Sequence, residues 1–155
     1  MAICKTCELV ASRDAGKAPF WGSFHRTSYW DVVHNNTTTL PGWLVLVARR
    51  HMAAIDELTD EEAAELGVLV RRTSVALKEV TGCVKTYLVQ FAEHPDHPHV
   101  HLHVVPRMAD IPAERRSTNV FGYAPGPNEE RVGETVMNDI AAKVKPFLSV
   151  SVRRP

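Results

Sequence analysis

The sequence predicts an α+β domain: an antiparallel sheet of about five strands, one long helix packed on it, and a C-terminal helix. Three stretches carry that reading. His99-Val100-His101-Leu102-His103-Val104-Val105 alternates histidine with apolar residues. On a strand this sends the histidines to one face and Val100, Leu102 and Val104 to the other. Trp43 to Ala48 is an unbroken apolar run, the pattern of a strand buried on both faces. Leu58-Thr59-Asp60-Glu61-Glu62 is a capping box, with Thr59 at the N-cap, Glu62 reaching back to it, and acids in the first turn.

Composition bounds the rest. With 155 residues, 45% of them hydrophobic, the chain suits one domain with a real core. That domain is expected over 1–148, with 149–155 as a frayed tail. Formal net charge is zero, which argues against a broad surface for a nucleic-acid polymer or a membrane. Lys5 and Glu8 interrupt the start of the chain, so no secretory signal is read there. The run from Trp43 to Ala48 is too short to span a bilayer. Three cysteines, two of them as Cys4-x-x-Cys7, fit a cytoplasmic protein using cysteine for metal or redox chemistry better than a disulfide scaffold.

In chain order, Cys4 and Cys7 are spaced to reach one zinc ion, yet two ligands are half a tetrahedral site, and the spacing equally serves ordinary reduced thiols. No strand precedes the motif, so a thioredoxin-like role is set aside. Ser28 to Val33 reads as a strand within an aromatic-rich segment. Trp21, Phe24, Tyr29 and Trp30 suit either base stacking or core packing. His34 to Thr39 is turn-prone, Leu40-Pro41-Gly42 closes the turn, and the flanking strands form an antiparallel pair. The helix after Thr59 runs to about Val80, with Ala63, Leu66, Leu69, Val70, Thr73 and Leu77 as its buried stripe and Gly82 as its stop. Cys83 to Ala92 alternates as a strand whose first residue is a core thiol. Glu93 to Pro98 is a tight loop. After Arg107 comes a loop of roughly twenty residues, where Asn119 to Tyr123 packs over the site or on a partner subunit. A last helix is expected from Pro127 to about Leu148, with Val132, Val136, Ile140, Val144 and Phe147 on its apolar face.

The His99 to Val105 pattern followed by Pro106-Arg107, the apolar strand ending in Arg49-Arg50-His51, and the Cys4-x-x-Cys7 start together resemble the histidine triad (HIT) superfamily, in its small bacterial type with an N-terminal zinc motif. The resemblance implies a HIT-like fold and a two-fold homodimer with a continuous sheet. It implies a structural zinc on Cys4, Cys7, His51 and His99, and a small nucleotide substrate. It also implies that His101 attacks the α-phosphate of a nucleoside phosphoramidate or dinucleoside polyphosphate, forming a nucleotidyl-histidine that water then releases. His103, on the same face, would stabilise charge on the phosphate oxygens, and His99 would orient its neighbour. Asn35, Gln90 and, as a stacking aromatic, Trp30 complete the expected nucleotide-binding set. Asn35 stands where the family has an acid for the ribose hydroxyls, and Gly42-Trp43 where it has Gly-His. Glu93 to Pro98 replaces a longer connection containing Gly-Gln, for whose polar groups His94, His97 or Gln90 would have to substitute.

The chemistry is sound for these residue types. A neutral imidazole nitrogen is a capable nucleophile when its other nitrogen donates to a fixed acceptor, and on a strand the obvious acceptor is a backbone carbonyl. A magnesium-centred reading is weaker, because such sites want carboxylates and Asp96 is the one nearby. Two rival readings use the same residues. One is a nucleotide-binding HIT-fold protein with little turnover. The other is a His-rich metal-binding module in which His99, His101 and His103 share an ion, as the five histidines between positions 94 and 103 suggest.

Overall fold

The computed structural model describes residues 4–126 and 129–149. The tail from 150 onward and the expected helix start at Pro127-Asn128 lie outside them. The strands are β1 (His25–Arg26), β2 (Trp30–His34), β3 (Leu44–Ala48), β4 (Lys85–Val89) and β5 (His101–Arg107), and the helices α1 (Lys5–Asp14), α2 (Asp60–Thr81) and α3 (Glu134–Leu148). All strand pairs are antiparallel, in the order β1-β2-β3-β5-β4. This is the expected α+β architecture.

Both faces of the sheet are covered, which accounts for the unbroken apolar run of β3 at its centre. On one face Val32, Leu46 and Val104 pack with Leu69 and Leu77 of α2 and Val144 of α3. On the other, Val33, Val45 and Val47 join Val10 of α1, Ile111 and Val120. The register sets His101 opposite Val47 and His103 opposite Val45. The two histidines therefore share the valine face, away from the long helices.

The capping box starts α2 as read. Thr59 Oγ1 accepts the Glu62 N–H, and the Glu62 carboxylate accepts the Thr59 N–H at 2.8 Å. Arg50 also forks onto that carboxylate, at 3.1 and 2.9 Å. This draws Glu62 inward, so the buried stripe runs Glu62, Leu66, Leu69, Thr73, Ala76, Leu77, and Ala63 is exposed where burial was expected. Gly82 ends the helix in the left-handed region at φ 72°, which glycine adopts without strain.

Three further elements depart from the sequence reading. The sequence offers no sign of α1, because its buried residues are Thr6, Val10 and Arg13, and two polar members leave no apolar stripe to read. The last helix begins at Glu134 rather than Pro127: the Val132 N–H bonds the Thr38 carbonyl at 2.9 Å, which holds the preceding chain across the β2–β3 turn. Its buried side is Met137, Ile140, Ala141, Val144 and Leu148, and Val136 is exposed. The strand expected over Cys83 to Ala92 is shorter, and Ala92 has φ 55°. Cys83 is a buried thiol, as expected. Among the described residues no helix is long and apolar enough to cross a membrane.

Arg50 first, then the Thr59 N–H, holds the Glu62 carboxyl at about 2, below the usual carboxylate range. A carboxyl depressed in the folded state adds stability that is present above its unfolded value and lost as pH falls through the folded one. Glu62→Gln is expected to cost about 1–2 kcal/mol near neutral pH in urea denaturation. The gap from wild type should close between about pH 5 and about pH 2.

Candidate functional site

The valine face of the sheet floors a cleft of about 270 Å³. Val33, Val45 and Val47 give the apolar floor, with His101 and His103 beside them. Thr6, Leu9 and Arg13 of α1 form one wall, and the turn after β2, from His34 to Thr37, forms another. Trp21 and His97 complete the rim. The α1 wall is tied to the loop before β5: the Lys5 N–H bonds the Asp96 carbonyl at 2.9 Å, and Lys5 Nζ pairs with the Asp96 carboxylate at 2.6 Å.

The triad histidines have three different partners. His101 Nδ1 lies 2.6 Å from the His99 carbonyl oxygen. A carbonyl only accepts, so the proton sits on Nδ1 and Nε2 carries the lone pair. The fully buried His99 directs Nε2 to the Ala48 carbonyl at 2.7 Å, so its proton is on Nε2 and its Nδ1 lone pair is free. Burial pushes the His99 pKa below its ordinary value. His103 Nδ1 lies 3.0 Å from the Trp43 indole nitrogen. Burial, then neighbouring His101, lowers the His103 pKa to about 4, so this ring is neutral near neutral pH.

The free lone pair of His99 faces a ready set of ligands. Its Nδ1 is 3.7 Å from Cys4 Sγ, 3.5 Å from Cys7 Sγ and 3.3 Å from His51 Nδ1, and Cys7 Sγ is 3.3 Å from His51 Nδ1. All four donor atoms lie within 4.8 Å of one another. Bonds of roughly 2.0–2.3 Å in a tetrahedron put neighbouring donors about 3.3–3.8 Å apart, so these residues fit a four-coordinate metal ion. Cys4 at the N-cap of α1 and Cys7 one turn on supply the two sulfurs.

The other expected site residues divide. Asn35 lines the cleft, but its Oδ1 already accepts the N–H and hydroxyl of Thr37, at 2.9 and 2.8 Å. Gln90 follows β4 and is not among the residues lining the cleft. Trp30 is a correction: it is fully buried in the core, and its indole N–H donates to the Glu62 carbonyl at 3.0 Å, leaving no ring face for a base. Trp21 is the aromatic that reaches the cleft. The chain after Arg107 packs on its own site, with the Phe121 ring 5.3 Å from Trp43 and 5.5 Å from His103. His97, one of the residues expected to stand in for the Gly-Gln polar groups, lines the cleft, and its Nδ1 meets Thr6 Oγ1 at 2.9 Å. One contributor escaped the sequence reading: His34 takes the Gly42 N–H on Nε2 at 3.0 Å, a contact with no periodic signal.

Comparison with known proteins agrees with this fold. The HIT domain family matches residues 24–110. A histidine triad protein from Bradyrhizobium japonicum is 24% identical, covering 81% of this chain and 89% of that one, at TM-score 0.68. A histidine triad protein from Marinobacter aquaeolei is 26% identical, covering 81% and 87%, at TM-score 0.61. A zinc-bound histidine triad family protein from Mycobacterium smegmatis is 16% identical, covering 94% and 92%, at TM-score 0.61. No curated protein matches the chain.

Elemental analysis is expected to find about one equivalent of tetrahedrally bound metal per chain. Cys4→Ser or Cys7→Ser should lose it and His101→Ala should keep it. Chelation should lower Tm by about 5–10 °C, measured by differential scanning fluorimetry.

Proposed function

Because this chain belongs to the HIT domain family, we propose that it binds a small nucleotide in the cleft and transfers the nucleotidyl group through a covalent intermediate on His101. The observation that carries the reading is the 2.6 Å contact of His101 Nδ1 with the His99 carbonyl. It leaves an Nε2 lone pair as nucleophile, on a strand over the cleft floor.

His101 Nε2 attacks the α-phosphorus of a nucleoside phosphoramidate or dinucleoside polyphosphate. A P–N(imidazole) bond forms and the bond to the amine or phosphate remainder breaks, the leaving group taking up a proton from solvent. His103 is neutral and donates a hydrogen bond to a phosphate oxygen as charge develops there. Water then attacks phosphorus and gives up a proton to solvent, the P–N(imidazole) bond breaks, and the nucleoside monophosphate departs with His101 restored. Trp21 at the rim suits stacking on the base, and the valine floor suits apolar packing beneath it.

Two sulfurs and two nitrogens at tetrahedral spacing favour zinc at the Cys4, Cys7, His51, His99 cluster. Zinc would supply structural cross-linking there, holding α1 as the cleft wall. A second copy of the chain is the expected macromolecular partner. Edge strand β4 supports this, with Leu88 on it 49% exposed and Phe91 just after it 54% exposed.

Two observations favour binding with little turnover as the second reading. The Asn35 oxygen is already engaged by Thr37, and Gln90 is not among the residues lining the cleft, so the grip on ribose and phosphate is thinner than the family pattern. The metal-module reading is supported at the Cys4 cluster rather than by the three triad histidines together, since His101 and His103 turn to other partners.

The deciding experiment is product release from adenosine phosphoramidate and a dinucleoside polyphosphate by wild type and His101→Ala. Nucleoside monophosphate from wild type, with a loss on the order of 10³-fold or more in the variant, is the expected result. No turnover by either, with nucleotide binding retained in calorimetry, would leave the binding-protein reading. Equal turnover by both would remove His101 as the nucleophile.

A further inference from the structure

Trp43 immediately precedes β3, and it is 2% exposed. Its ring meets His103 edge-on, with centroids 5.6 Å apart at 85°, and Phe121 packs against both rings, 5.3 Å from Trp43 and 5.5 Å from His103. The indole N–H is a donor and nothing else. Across the 3.0 Å contact, His103 Nδ1 must therefore accept. In a neutral ring the one proton is then on Nε2. A proton on Nδ1 would set N–H against N–H beside the buried indole, where an unsatisfied donor is costly.

We propose that Trp43 is a positioning residue: its indole N–H locks His103 as the Nε2–H tautomer, so that His103 offers the cleft one neutral donor and no acceptor. The tautomer follows from the contact alone, and its use on a phosphate rests on the nucleotidyl-transfer reading above. The lock complements the neighbouring ring. The His99 carbonyl holds the proton of His101 on Nδ1 and leaves Nε2 bare, whereas Trp43 leaves His103 with Nε2–H and no protein partner for it among the described residues. Two imidazoles 5.0 Å apart are thereby given opposite roles by two different partners. One is a lone pair for phosphorus and the other a donor for oxygen. Without the indole N–H, His103 could exchange tautomers and turn a lone pair toward a phosphate oxygen, where it repels.

The test is histidine-¹⁵N NMR at neutral pH on wild type and Trp43→Phe, with far-UV circular dichroism to confirm folding. A second replacement of Trp43 by its benzothiophene isostere keeps the shape and lacks only the N–H. Wild type is expected to show His103 with an unprotonated Nδ1 and a protonated Nε2. Both replacements should show averaged, mixed-tautomer shifts for His103. His101 should keep its Nδ1–H signature in all three. In product release, kcat should fall about tenfold in both replacements with KM within about twofold, a split that mere loosening of the core would not give. A wild-type proton on His103 Nδ1 would overturn the proposal. So would a benzothiophene variant that keeps the single Nε2–H tautomer. No product from wild type, with His103 assigned as expected, would uphold the lock and remove only the transfer reading.

Discussion

The hydrogen bond from His99 Nε2 to the Ala48 carbonyl, at 2.7 Å, is the contact on which the site depends. It ties a fully buried side chain to the end of the central strand and fixes its proton on the sheet side. Everything else follows from that choice of nitrogen. Nδ1 is left to complete the cluster with Cys4, Cys7 and His51. The His99 main-chain carbonyl, held still by its own side chain, becomes the acceptor for His101. Were the His99 proton on Nδ1 instead, the ring would present a donor to the thiols and a lone pair to a carbonyl. Both sides would lose their partner.

The fold separates stability from chemistry by face. The side under α2 and α3 is a packed core of aliphatic residues around Trp30 and Phe24, while the opposite side carries His101 and His103. The valines of that opposite side belong at once to a small second core and to the cleft floor. The first helix links the two functions. Its leading turn gives both sulfurs, and Thr6, Leu9 and Arg13 on the same helix form a wall. A metal in the cluster would therefore brace the cleft without touching a substrate.

Much of this was legible in the sequence because it depends on period. The two-residue alternation placed His101 and His103 on one face, the apolar run gave β3, and Thr59 with Glu62 fixed the start of α2. The donor set Cys4, Cys7, His51 and His99 was reached through family resemblance, and the geometry brings those four together. What failed depended on partners rather than pattern. Trp30 looked available for stacking, but its indole N–H had a carbonyl waiting inside the core. Ala63 lost its buried place because Arg50 pulls Glu62 inward. The first helix carries polar residues on its buried side, so no hydrophobic count finds it. Trp43 marked a departure from the family motif, yet its contact with a histidine 60 residues later has no local signature.

The site's contacts also differ in range along the chain. The His101 contact with His99 spans two residues and travels with its strand whatever that strand pairs with. Trp43 reaches His103 across 60 residues, and Cys4 reaches His99 across 95. Closing such long loops has an entropic cost that rises only slowly with their length, and here it falls on the sheet that must form in any case. The orientation of the middle histidine is thus local information, present as soon as the strand is extended. The donor beside it and the wall around it are topological, and exist only once β3 and β5 have found their register.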